Sequence, residues 1–440
     1  MSRETVICDK RALPRLMNRW HALAGPGMLS LASQGINSAN NFASGLIMGR
    51  LCPKEEYGLY ALGFSLVLLI TDFQSTLVST PYSVYSPRLL PDDRRRYAGS
   101  TFIHQIAFSA IAAFLLLCGL GAVYAGAAPQ GFARVLEVLA AVIVLIMMKD
   151  FIRQMCFASL NVKAAFLLDA LTALIQVSCL SVLAYRRALS ADRTFLVIGI
   201  ACGLTAAGWV LTNKDLFVID LKQILPDLRQ KWPLVKWIAA SQVIWMSAMS
   251  LYPWLLAAFQ GVQANAVWAA CQSVLMIGNL VSVAAQNLLG PKMVHVLSQG
   301  GITEMRSMIF KSAMFMMFIM SLLSLAFILF GNRLVVLLFG SRYGGYGLVV
   351  SVLALNLAVT SLTYPFSRGL FVLERADLDF RINLAVVLSL IPGVWLVRTF
   401  GLPGAAFGLL AANALSVLLR VLAFNRISLS GTTPTPASPV

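Results

Sequence analysis

Apolar runs of about twenty residues recur along this chain, and no other feature of the sequence limits its fold as strongly. Wound as an α-helix at 1.5 Å per residue, such a run crosses the ~30 Å hydrocarbon core of a bilayer with its backbone N–H and C=O groups paired internally. Twelve spans can be laid out, near 26–50, 58–86, 99–124, 133–158, 164–185, 194–212, 237–259, 265–290, 309–330, 345–372, 382–399 and 403–424. The mean hydropathy of +0.79 and the charged fraction of 12% agree, because soluble domains carry about twice that share of charge. The expected fold class is an all-α polytopic membrane protein.

The formal net charge is +16. In a soluble chain that excess would suggest nucleic acid. Here Lys and Arg gather in alternate links, at Arg94-Arg95-Arg96, Lys214 to Lys236, Lys292 to Lys311 and Arg375 to Arg381. Such asymmetry sets membrane orientation, so both termini are expected in the cytoplasm and no nucleic-acid partner is expected. The basic segment 1–25 precedes a long apolar run with no clear cleavage site, and is expected to stay attached. The polar, proline-rich stretch 425–440 is expected to be disordered.

Catalytic and metal signatures are missing. His21, His104 and His295 stand apart, and the seven cysteines form no C-x-x-C pair. No phosphate loop, H-E-x-x-H or G-x-S-x-G motif occurs. No cofactor, metal or catalytic residue is expected. The external links are also too short for a glycan polymerase or ligase site.

Residues 213–236 divide the chain near its middle. Phe217, Leu221, Ile224 and Leu228 recur there at helical spacing among charges, as in an amphipathic helix on the inner leaflet. On either side the sequence echoes itself: Leu51 to Ala61 resembles Phe259 to Ala269 in pattern, and the Phe-x-Arg of Phe151-Ile152-Arg153 returns in Phe366-Ser367-Arg368. Two parallel six-helix bundles, 26–212 and 237–424, account for this. Bundles so related enclose a central cavity and alternate its access by rocking.

Charges inside spans are costly, about 3 kcal/mol each at mid-depth on insertion scales, and mark paths or partners. Lys149 lies about 14 Å from the inner end of its span at helical rise, which favours a cavity-facing position. Arg153 either faces the cavity or snorkels to the inner interface. Arg368 stands equally between these two readings. Asp72, Asp150 and Asp169 are either counter-ions for these cations or coupling sites for a driving ion. Asn37 and Asn41 share a face with Gln34, and amides there either bind sugar hydroxyls or tie helices together.

The segment Leu46-Ile47-Met48-Gly49-Arg50-Leu51-Cys52-Pro53-Lys54-Glu55-Glu56-Tyr57-Gly58 resembles the first hairpin of polysaccharide exporters and O-antigen flippases. Leu338-Phe339-Gly340-Ser341-Arg342-Tyr343 and Gly401-Leu402-Pro403-Gly404 are similar to later links of that family. The resemblance implies the multidrug/oligosaccharidyl-lipid/polysaccharide (MOP) exporter superfamily, with a MATE-like bundle in the bacterial inner membrane. It further implies a flippase for undecaprenyl-diphosphate-linked oligosaccharide, serving exopolysaccharide, capsule or O-antigen synthesis. On that reading Lys149, Arg153 and Arg368 hold the diphosphate, Asn37 and Asn41 the sugars, and Asp72, Asp150 and Asp169 tune or couple the site. The expected partners are membrane lipids and a polysaccharide polymerase or export complex. A drug/cation antiporter of the same superfamily is the alternative, and would prefer an acidic or apolar pocket.

Overall fold

A computed structural model describes residues 12–127, 129–373 and 375–430. Within these the chain is helical and strand-free. The first half holds α1 (Ala12–Leu51), α2 (Lys54–Gln74), α3 (Thr80–Tyr85), α4 (Pro91–Ala122), α5 (Phe132–Ala158), α6 (Val162–Tyr185) and α7 (Ala191–Thr212). The second holds α8 (Leu221–Gln260), α9 (Val262–Phe339), α10 (Gly347–Ser361), α11 (Thr363–Val372), α12 (Ala376–Leu388) and α13 (Leu390–Ser430). Seven helical stretches among the described residues are each long and apolar enough to cross a membrane, so this is a multi-pass membrane protein.

Local chemistry explains the breaks. A π-helical turn, Ser75–Ser79, joins α2 to α3 just before Pro81, whose missing N–H leaves the regular ladder incomplete. α9 folds back at Gly301 (φ 68°) and α13 at Gly401 (φ 60°), backbone angles that side-chain-bearing residues rarely adopt. The amphipathic segment is not a separate helix: its Leu221, Leu225 and Leu228 are exposed on the first turns of α8. Phe217 anchors the preceding strand-like link, with its ring 4.7 Å from that of Phe102.

Close packing within the first half follows the small-residue face of α7. A Cβ at Gly199 would lie 2.3 Å from Val142 Cβ, and one at Gly203 3.0 Å from Leu145 Cδ1. Exposed Met314, Phe315, Met317 and Phe318 form an outward apolar face of α9, whereas Met316 and Met320 of the same run are buried.

The buried cores reveal how the halves meet. At the end where α1 finishes, one core combines Tyr57, Leu139 and Phe195 with Tyr252, Trp268 and Phe339 from the other half. At the opposite end the core is split. Tyr82, Phe151 and Ile152 pack within the first half, and Ile309, Phe366 and Phe424 within the second. The two sequence-related hairpins press together at the joint: Asn265 Nδ2 donates to Gly58 O at 3.0 Å, and a Cβ at Gly58 would sit 2.1 Å from Val262 O. Arg50 donates to Leu337 O and Leu338 O, and Arg342 to Gly49 O at 2.6 Å. Among the described residues the halves share one core at this end and pack in two separate cores at the other, where the start of α8 reaches the first half, with His104 Nε2 3.0 Å from Ile224 O.

Candidate functional site

Each half contains a charged cluster between its helices. In the first half the spacing of Lys149 and Arg153, four residues apart on α5, puts both on one helical face. Asp169 of α6 meets them. Its Oδ1 accepts from Lys149 Nζ at 2.6 Å, and its Oδ2 accepts from Arg153 Nε at 2.8 Å and Ser33 Oγ at 2.5 Å. The Asp169 side chain is fully buried and the two cations nearly so, at 8% and 11% exposure. α1 supplies the remaining acceptors, Asn37 Oδ1 to Lys149 at 3.2 Å and Gln34 Oε1 to Arg153 at 2.7 Å. Phe157 lies against the Arg153 guanidinium at 5.0 Å. Desolvated ions persist only when paired and hydrogen-bonded, and here both oxygens of Asp169 are engaged by cations.

In the second half Asp379 of α12 takes the matching place on the fifth helix of its bundle. Its Oδ1 accepts from Arg420 Nε at 3.0 Å. Arg420, from α13, also donates to Asn383 Oδ1 at 2.8 Å and to Ser416 Oγ. Beside them a cavity of about 550 Å³ is lined by Arg368, Tyr364, Ser367, Asn356, Thr360 and Asn413, together with Asp379 and Arg420. Arg368 is exposed, and among the described residues it has no ion-pair partner. In the first half two cations thus meet one carboxylate, and in the second Arg420 alone pairs with Asp379 while Arg368 lines the same cavity.

The other sequence candidates fall elsewhere. Asp150 points away from Asp169 and accepts from Gln154 Nε2 at 2.8 Å. Asp72, on α2, has no ion-pair partner among the described residues. Positions 149 and 150 differ by about 100° around α5, so Asp150 lies off the face that carries Lys149 and Arg153. Asn41 is not part of the Lys149 cluster but lines a cavity between the halves with Gln272. Asn40 instead ties α1 to α6 through Gln176 at 3.1 Å. Arg50 and Lys54 belong to the joint, where Lys54 Nζ sits 5.3 Å from the Tyr343 ring.

Asp379, Arg420, Asn383 and Asn413 were not singled out by the sequence. Asp379 sits at the edge of a link and Arg420 near the end of the last apolar run, where charges are ordinary. The available signal was spacing: Asp379 with Asn383, and Ser416 with Arg420, recur at i, i+4.

Backbone comparison places this geometry among known folds. A multidrug resistance MATE family transporter of the MOP superfamily, in its inward-facing conformation, matches with a TM-score of 0.72 over 91% of this chain and 98% of its own, at 14% identity. The fold is that of the MOP-superfamily transporters. A MOP superfamily transporter from Pyrococcus furiosus, whose binding pocket of reverse polarity suggests a different function, matches at TM-score 0.67, 14% identity, over 92% and 94% of the two chains. An outward-facing multidrug resistance MATE transporter matches at 0.62, with 15% identity over 92% and 94%. No family model and no curated protein matches the sequence.

Proposed function

We propose that this MOP-fold protein is a flippase that moves a lipid-diphosphate-linked oligosaccharide across the bacterial inner membrane by alternating access. The carrying observation is basic charge beside each cluster's acid: Lys149 and Arg153 share Asp169, and Arg368 lines a cavity together with the Arg420–Asp379 pair. A diphosphate needs such cations to offset its lost hydration, and arginine supplies paired donors as well as charge. Amides and hydroxyls around Arg368 suit the sugar hydroxyls. A core shared at one end and divided at the other, among the described residues, fits an inward-open state when the termini are cytoplasmic.

Transport rather than catalysis is favoured because the links at the end with the shared core are short, at Cys52–Pro53, Gly261 and Gly401. They leave no external domain among the described residues. A drug/cation antiporter is the second reading, favoured by the multidrug MATE proteins that share the fold. On that reading the acids open to a cationic drug or a driving ion are Asp72 and Asp150, which have no basic partner among the described residues, whereas Asp169 and Asp379 are held by basic side chains.

The test is depletion of the protein followed by extraction of lipid-linked intermediates. A diphosphate-linked oligosaccharide is expected to accumulate on the inner leaflet, relieved by wild type and not by Lys149→Ala. Normal intermediates with new sensitivity to cationic drugs would reject the flippase in favour of the antiporter.

A further inference from the structure

The first turns of α4 carry Arg94-Arg95-Arg96, and helical geometry sorts these side chains between two neighbouring cavities. Arg96 lines one of about 200 Å³ together with Asp93 and Asp227. Arg94 and Arg95 line another of about 250 Å³, which no acidic side chain borders among the described residues. Basic charge is balanced in the first case and left over in the second.

The acid-free cavity lies at the end where the cores of the halves divide, over a buried floor that includes Ala98 and Met155. Arg94 is fixed by its own turn: Nε donates to Ser86 O at 3.1 Å and Nη2 to Leu89 O at 3.2 Å, which leaves Nη1 without a bond among the described residues. Arg95 is exposed and enters no ion pair among them. Two amides complete the border. Asn161 spends its Oδ1 on Ala164 N and keeps a donor, whereas Asn213 spends its Nδ2 on Trp209 O and keeps an acceptor. Around the mouth the surface is apolar: Leu90, Leu160 and Leu211, each within two residues of the lining, are 73%, 84% and 74% exposed. In a membrane protein such side chains are covered by acyl chains, and a lining tryptophan, Trp209, is typical of the level where head groups begin.

We propose that this cavity binds the phosphodiester head group of an anionic phospholipid from the leaflet at this end, a resident lipid distinct from anything transported. The phosphodiester brings one negative charge and two unbridged oxygens, which arginine meets with paired N–H groups. A glycerol head group adds hydroxyls that both donate and accept, matching Asn213 Oδ1 and Asn161 Nδ2. The volume falls below the ~300–1,000 Å³ of whole small-ligand sites, so it has room for a head group whose tails stay in the bilayer. Basic pockets between helices at a membrane surface recognise anionic lipids in this way. A zwitterionic lipid brings a cation that finds no acid here, and free phosphate leaves the apolar rim uncovered. Because Asn213 and Leu216 belong to the link after α7, a lipid held here bridges that link to α4.

Native mass spectrometry of the purified full-length chain in detergent tests the site, with dioleoyl phosphatidylglycerol, dioleoyl phosphatidylcholine and inorganic phosphate as probes. Wild type is compared with Arg95→Gln and Arg96→Gln; both positions are exposed, so both variants are expected to unfold at the wild-type temperature. Phosphatidylglycerol is expected to bind about tenfold more tightly than phosphatidylcholine, and Arg95→Gln to weaken it about tenfold, the worth of one charge-assisted contact. Arg96→Gln, beside its acids, should leave it within about twofold. Equal binding of the two lipids, or equal losses in the two variants, would overturn the site in favour of general surface charge. Inorganic phosphate binding as tightly as phosphatidylglycerol would overturn the lipid as its occupant.

Discussion

Each half holds an acid with basic side chains, and the two treat it differently. In the first half Asp169 is sealed, every carboxylate oxygen is engaged, and Lys149 and Arg153 are capped by α1 amides. In the second half Asp379 retains about a quarter of its side-chain surface, and Arg368 stands open in a cavity. A locked cluster holds helices in register, whereas an open one meets a ligand at less desolvation cost. The comparison teaches that an acid held by basic side chains in each half can supply a rigid wall on one side and a receptive surface on the other.

The sharpest way to break this contrast is to remove each acid in turn. Asp169→Ala leaves two buried cations without their counter-ion and is expected to destabilise the detergent-solubilised protein by about 3–5 kcal/mol. Asp379→Ala removes charge-assisted hydrogen bonds from a partly wet site and should cost about 1–3 kcal/mol. Unfolding curves that show equal losses would erase the distinction between locked and open halves.

The joint offers a smaller effect. Gly58→Val drives a side chain into the Val262 carbonyl and should cost about 1–3 kcal/mol as overpacking, loosening the shared core. Labelling of buried Cys271 by a membrane-impermeant maleimide, in a background with exposed Cys118 and Cys179 replaced by Ser, is expected to rise. Unchanged labelling would mean that this contact does not hold the halves shut.

The smallest stability effect is expected at Arg368. With no ion-pair partner among the described residues, Arg368→Gln should stay within about 0.5 kcal/mol of wild type, yet stop accumulation of exported glycan. A variant as active as wild type would remove Arg368 from the path.

Legibility in the sequence followed the cost of charge. Lys149, Arg153 and Asp169 stood out because an ionised group inside an apolar run demands explanation, and the structure brings all three together. Asp379 and Arg420 sat where apolar runs give way to links, so their burial was invisible until α12 and α13 packed. The role of Asp72 was not legible, because depth can be counted along a helix while facing depends on its neighbours. The two hairpins that echo each other in sequence meet at the joint. The join of the linker to α8 was not visible, because an amphipathic face and a membrane span share one helical period.

The most direct test is binding to the purified full-length protein of farnesyl diphosphate, farnesol and ethidium, each against wild type and Arg368→Gln. The account predicts that farnesyl diphosphate binds, that uncharged farnesol and cationic ethidium bind far more weakly, and that Arg368→Gln weakens the diphosphate about tenfold, the worth of one charge-assisted contact. Ethidium binding more tightly than farnesyl diphosphate, with no effect of Arg368→Gln, would contradict it.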